Sequence, residues 1–128
     1  MNNNEINIRF NYKIWIETAE EKGILGYGQM RLLKAINETG TLNNAMKVIG
    51  FNYRKSWGKL KEIESLLGFK ILITHRGGVE KGNTVLTEKG KILIEAFDRF
   101  NYRYENILRA ACDNATRDLL NELKSSFD

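Results

Sequence analysis

Thr41-Leu42-Asn43-Asn44-Ala45-Met46-Lys47-Val48-Ile49-Gly50, followed after one residue by Asn52-Tyr53-Arg54-Lys55-Ser56-Trp57, is the stretch that decides the fold. Both halves read as short helices. Thr41 is placed to cap the first, because its hydroxyl can accept an orphan amide proton, and Gly50 closes it. The second runs from Asn52 to about Leu67, where Gly68 ends it. Beyond it Phe69-Lys70-Ile71-Leu72-Ile73-Thr74 alternates like a strand, His75–Asn83 turns the chain, and Thr84-Val85-Leu86 brings it back. Two helices meeting at a tight turn over 41–67, then a basic hairpin over 69–87, follow the order of a winged helix-turn-helix.

Working outward, Met30, Leu32, Leu33 and Ala35 or Ile36 give a helix from about Tyr27 to Glu38, ended by Thr39-Gly40. It completes a three-helix core over 27–67. Nearer the N-terminus, Ile6, Ile8, Phe10, Tyr12, Ile14 and Ile16 alternate with Asn7, Arg9, Asn11, Lys13 and Trp15. That period of two predicts a half-buried strand. Glu20–Gly23 then turns, and Ile24-Leu25 returns to close an N-terminal β-hairpin over 6–25. On the other side of the wing, Thr87-Glu88-Lys89-Gly90 opens a long helix over 88–124. The expected fold class is α+β, mainly α, in a single domain over 1–128.

The composition is that of an ordinary globule, 42% hydrophobic and 28% charged. No apolar run approaches the roughly 20 residues needed to span a bilayer. Met1-Asn2-Asn3-Asn4-Glu5 has no basic region leading into an apolar stretch, so no secretory signal is expected. One cysteine, Cys112, leaves no internal disulfide to form, and a cytoplasmic setting is expected. The net charge of +4 is unevenly spread. Residues 1–50 carry +1, residues 51–91 carry nine Lys/Arg against four acids, and residues 92–128 carry −2. The positive excess therefore falls on the second helix of the pair and the wing, where a polyanion would be met.

On a helix from Asn52 to Leu67, Trp57, Leu60, Ile63 and Leu67 form the inward face, joined by Tyr53. Arg54, Lys55, Gly58, Lys59, Lys61 and Glu62 point mostly outward. Arg54 is expected to read a base edge, since its planar fork matches guanine O6 and N7. Lys55 and Lys59, as flexible point charges, suit phosphates. Asn52 caps the helix or reaches a base, and the Tyr53 hydroxyl can reach a phosphate while its ring packs. Thr41 and Asn43 from the preceding helix join the candidate DNA contacts. In the wing, Arg76, Lys81 and the amides around Gly77, Gly78 and Gly82 can follow flanking phosphates or the minor groove. Catalysis is not expected: His75 is the sole histidine, the nucleotide-binding glycine motifs are absent, and neither a metal cluster nor a cofactor is foreseen.

Leu93, Phe97, Phe100, Tyr104, Ile107 and Ala111 recur at spacings of four and three, the seam of a coiled-coil-like contact. A small domain does not easily cover a helix of that length, so a homodimer is expected. The alternative lays the first half of the helix on the chain's own domain and leaves the second half to fray. A different class of function, a protein-interaction adaptor with an incidental basic face, would also use the long helix. It gives no reason for the charge partition.

Gly26-Tyr27-Gly28-Gln29-Met30-Arg31-Leu32-Leu33, Ile36-Asn37-Glu38-Thr39-Gly40-Thr41-Leu42, Asn52–Trp57, Gly77-Gly78 and Val85-Leu86-Thr87-Glu88-Lys89-Gly90 together resemble the N-terminal domain of ModE-type regulators. The resemblance covers roughly residues 8–110. It implies a LysR-like winged helix-turn-helix in a prokaryotic transcriptional regulator, a homodimer built with the long helices, and binding to a palindromic operator. It also implies a link to molybdate or other oxyanion metabolism. Two departures stand out. ModE-type wings are usually richer in glycine and lysine than His75–Asn83, where Val79 and Glu80 intrude. The regulators that sense molybdate do so with C-terminal oxyanion-binding modules, for which a chain ending at Asp128 has no room. It therefore resembles the stand-alone DNA-binding form, and a molybdate response is not carried over.

Overall fold

A computed structural model describes residues 5–50, 53–75 and 83–126, with the backbone alone for Tyr53, Arg54 and His75. Among these residues the chain is mainly helical, with two small antiparallel hairpins. In order, it forms β1 (Ile16–Glu17), β2 (Gly23–Leu25), α1 (Tyr27–Thr39), α2 (Leu42–Ile49), α3 (Tyr53–Leu67), β3 (Leu72–His75), β4 (Asn83–Leu86) and α4 (Glu88–Ser125). The mainly helical α+β character expected from the sequence is what the structure has. It divides into two compact units, Ile14–Arg99 and Met1–Lys13 with Phe100–Asp128.

In the first unit each helix is fixed by a local signal and an apolar stripe. Gly26 has no side chain to cap α1, but its amide donates to Gln29 Oε1 at 3.2 Å, half of a capping box. Gly40 ends the helix at φ +82°, and its amide reaches the Ile36 carbonyl at 2.8 Å. At eight residues, α2 is too short to hold itself. The Thr41 hydroxyl accepts from the Asn44 amide at 3.0 Å, and Leu42, Ala45 and Met46 are buried. On α3, Leu60 and Ile63 are buried, with Trp57, Leu66 and Leu67 packed at the edge of the core. Leu33, Ile36, Ala45, Ile63 and Ile71 are inaccessible to solvent, and each larger one is worth about 1.5–3 kcal/mol of burial.

The β3–β4 hairpin is tied to the helices at both ends. Leu72 pairs with Leu86 and His75 with Asn83. Beyond that ladder, Thr41 bridges to Asn83, and the Thr84 amide donates to the Gly40 carbonyl at 2.7 Å. At the other end Thr87 caps α4. Its hydroxyl accepts from the Gly90 amide at 3.0 Å and donates to the Lys70 carbonyl at 2.7 Å. Gly90 is buried because a Cβ there would stand 2.6 Å from the Ile71 carbonyl oxygen. The first turns of α4 add Ile94 and Phe97 to the core, and the Phe97 ring meets Tyr27 edge-on at 5.5 Å.

The second unit sets an extended segment beside the later turns of α4. The Phe10 amide donates to Thr116 Oγ1 at 2.8 Å, and Thr116 Oγ1 donates in turn to the Cys112 carbonyl at 2.7 Å. The Arg109 guanidinium lies 5.1 Å from the centre of the Tyr12 ring.

One expectation is overturned here. The strand predicted from Ile6 to Ile16 forms a ladder only at Ile16 and Glu17, so the N-terminal hairpin is far shorter than 6–25. β2 has three residues and offers no further partner. Ile6, Ile8 and Phe10 are 42–48% exposed, while Tyr12, Ile14 and Ile16 are half-buried. Alternation reports a one-sided apolar face, and it does not by itself supply a neighbouring strand.

Candidate nucleic-acid interface

Burying the stripe of Leu60 and Ile63 fixes the rotation of α3 and turns its other side outward. Lys55, Gly58, Lys61 and Glu62 are exposed, and Lys59, one turn from Lys55, is half-exposed. Lys55, Ser56, Lys59 and Leu60 line one wall of an open cleft of about 400 Å³. Gly28, Gln29 and Leu32 of α1 and Gly50 at the end of α2 line the rest. Both lysines are set on the same wall by one helix.

The neighbouring charges are not uniform. Lys59 Nζ lies 3.9 Å from Glu62 Oε2 on the same helix, an exposed pair that water weakens. Lys61 is committed to the fold. Its ammonium sits 4.6 Å from the centre of the Trp57 ring and 3.6 Å from Glu64 Oε1. Trp57 is thus half-buried beneath a cation as well as packed on the core.

The candidate residues divide as follows. Thr41 is half-buried, with its hydroxyl spent on capping α2 and its backbone bridged to Asn83. Asn43 is exposed in the first turn of α2. Lys55 and Lys59 share the cleft. Asn52, Arg76, Gly77, Gly78 and Lys81 lie outside the described residues, as do the side chains of Tyr53 and Arg54 at the start of α3. The seam also divides. Phe97 is 5% exposed and Leu93 half-buried, both packed on the core of their own unit. Phe100, Tyr104, Ile107 and Ala111 are exposed, and the Phe100 and Tyr104 rings lie 4.9 Å apart. Leu93 and Phe97, the first third of the predicted seam, are therefore occupied within their own unit.

The sequence reading missed Glu64. Its Oε2 accepts the Ile71 amide at 2.8 Å and the Leu72 amide at 3.2 Å, and the side chain is 10% exposed. The signal available was positional. Glu64 falls one residue past Ile63 on the flank of the buried stripe, eight before the strand whose first amide it holds.

No family model matches the chain. Over 80 residues, 62% of its length, it is 28% identical to the molybdenum transport protein ModE of Azotobacter vinelandii, covering 30% of that protein. It is 32% identical over 73 residues to the molybdenum-pterin-binding protein MopB of Rhodobacter capsulatus, covering 57% of the chain and 27% of the relative. With the transcriptional regulator ModE of Haemophilus influenzae it shares 26% over 87 residues, 68% of the chain and 34% of the relative. The chain thus spans about a third or less of the curated relatives it matches. These similarities support a relation to the ModE family, and the names of these relatives are regulatory, transport or molybdenum-pterin-binding rather than enzymatic.

Proposed function

We propose that this chain is a sequence-specific double-stranded-DNA-binding transcriptional regulator of the ModE/LysR-like winged-helix type, acting as a homodimer. One observation carries the reading. The apolar stripe of α3 is buried, which leaves Lys55 and Lys59 outward one turn apart, within the segment that holds the chain's whole positive excess. A helix so rotated can lie in a major groove, with α2 crossing the backbone behind it. The relation to regulators named ModE supports the same reading.

In this proposal residues 41–67 form the helix-turn-helix and 69–87 the wing. Arg54 reads a guanine edge, and Lys55, Lys59 and Lys81 meet phosphates. Asn43, Asn52, Tyr53, Arg76, Gly77 and Gly78 complete the contact surface, with Thr41 fixing the geometry of α2. Phe100, Tyr104, Ile107 and Ala111 face a second copy, since a row of exposed apolar side chains on one helix calls for cover. The link to molybdate or other oxyanion metabolism rests on the relatives' names, and the effector is left open.

Mobility shift against genomic fragments at moderate salt, the region upstream of the chain's own gene among them, tests the reading. The expected result is a discrete shift on a few fragments sharing an inverted repeat. No shift on any fragment, from protein that is folded and dimeric, would leave the adaptor as the better description.

A further inference from the structure

Residues 5–13 pose a specific question: an extended apolar segment of the second unit has no strand beside it among the described residues. We propose that it pairs antiparallel with the same segment of a second copy, with Phe10 on the twofold axis. The inference rests on the homodimer reading and adds to it a second, strand-to-strand contact beside the α4 seam.

Three observations lead there. In an extended chain successive residues direct their N–H and C=O groups to opposite edges. The Phe10 amide is taken by Thr116 Oγ1, so the edge formed by Arg9 and Asn11 faces the other way. No hydrogen bond is made to either of those two amides among the described residues, and an open edge is a template for another strand. Second, Ile6, Ile8 and Phe10 are 42–48% exposed, a run of apolar side chains on one face that a single copy leaves uncovered. Third, the sequence is self-complementary about one residue. An isologous contact requires each residue to meet its own mirror image. Centred on Phe10, Arg9 faces Asn11, Asn7 faces Lys13, and Ile8 faces Tyr12. Every apolar residue meets an apolar one and no cation meets a cation. A centre at Arg9 or Asn11 sets Arg9 against Arg9 or Lys13, a centre at Ile8 sets Tyr12 against Asn4, and a centre at Tyr12 needs Ile14 and Ile16, which already pack on the core.

The parity agrees as well. With its N–H turned toward Thr116, Phe10 can lie opposite its mirror image only as a non-hydrogen-bonded pair, where the Cα atoms are about 4.5 Å apart. That lies within the range a disulfide spans, roughly 4.4–6.8 Å.

The test uses the full chain with Cys112→Ser, so that a single cysteine can be placed at will. Phe10→Cys should form a disulfide dimer under mild oxidation in most molecules. Ile8→Cys and Tyr12→Cys should each stay largely uncoupled alone, yet give a mixed dimer when combined, a pair that does not depend on Phe10→Cys folding well. Self-coupling of Ile8→Cys above that of Phe10→Cys would overturn the proposed register. Absence of coupling at every position, with light scattering still reporting a dimer, would overturn strand pairing and leave the homodimer intact. A monomer by light scattering at all concentrations would overturn both.

Discussion

Glu64 and Ile71 are joined across the turn from α3 to β3: the carboxylate Oε2 accepts the buried residue's amide at 2.8 Å and that of Leu72 at 3.2 Å. Helix and hairpin are held by one side chain, whose other oxygen meets Lys61. Glu64→Ala strands the amides of two buried residues, which costs about 2–4 kcal/mol. For a unit of this size that lowers Tm by roughly 10–20 °C. Glu64→Gln keeps an acceptor and should lose less than half as much. Thermal unfolding followed by circular dichroism checks the order of the three proteins.

Gly90→Ala should destabilise the chain by about 1–3 kcal/mol even though alanine is the better helix former. The cause is the 2.6 Å approach of the new Cβ to the Ile71 carbonyl, a backbone atom with no room to yield. Gly58→Ala is the control, since a Cβ there has nothing within 4 Å and sits inside α3. It should gain about 0.5–1 kcal/mol. Urea unfolding of the two variants should move in opposite directions.

Lys55→Ala and Lys59→Ala should each weaken binding to every duplex and reduce the slope of log affinity against log salt by about one. Arg54→Ala should instead weaken the operator selectively, by about 1–3 kcal/mol at one base position. Fluorescence anisotropy on operator and scrambled duplexes separates them. Equal losses for all three on both duplexes would defeat the assignment of base reading to Arg54.

Glu62→Gln should strengthen DNA binding. Glu62 lies 3.9 Å from the Lys59 ammonium and adds an anion to the outward face of α3. Removing it should raise affinity by about two- to fivefold at low salt, with the gain shrinking as salt rises.

Ile107→Asn with Tyr104→Ala should shift the chain toward monomer in light scattering, while Tm measured on the monomer changes little, because both side chains are exposed. Phe97→Ala should act the other way. It empties a buried site against Tyr27 and costs about 3–5 kcal/mol of folding stability.

Much of this arrangement was legible from the chain alone. Glycines 40, 50 and 68 mark the helix ends because each takes a positive φ there, and Thr41 and Thr87 mark starts because their hydroxyls accept amides. The period of Leu60, Ile63 and Leu67 sets which side of α3 faces out, so Lys55 and Lys59 could be named in advance. What failed did so for identifiable reasons. The alternation from Ile6 to Ile16 specifies a face and says nothing of what covers it. Glu64 reads like any helical acid until the position of Ile71 is known. The spacing from Leu93 to Ala111 is continuous, and only the burial of Phe97 shows where the chain's own core lets go of the helix.

The bond from the Thr84 amide to the Gly40 carbonyl, with the Thr41–Asn83 bridge beside it, fastens the hairpin's returning strand to the turn ahead of α2. Whatever residues 76–82 do, the strands that carry them are already moored by backbone groups that any side chain would leave unchanged. Such a mooring belongs to the main chain, so rewriting the letters between the two strands leaves its bonds in place. A library confined to those seven positions should hold the melting temperature nearly level, which a thermal-unfolding screen across it checks.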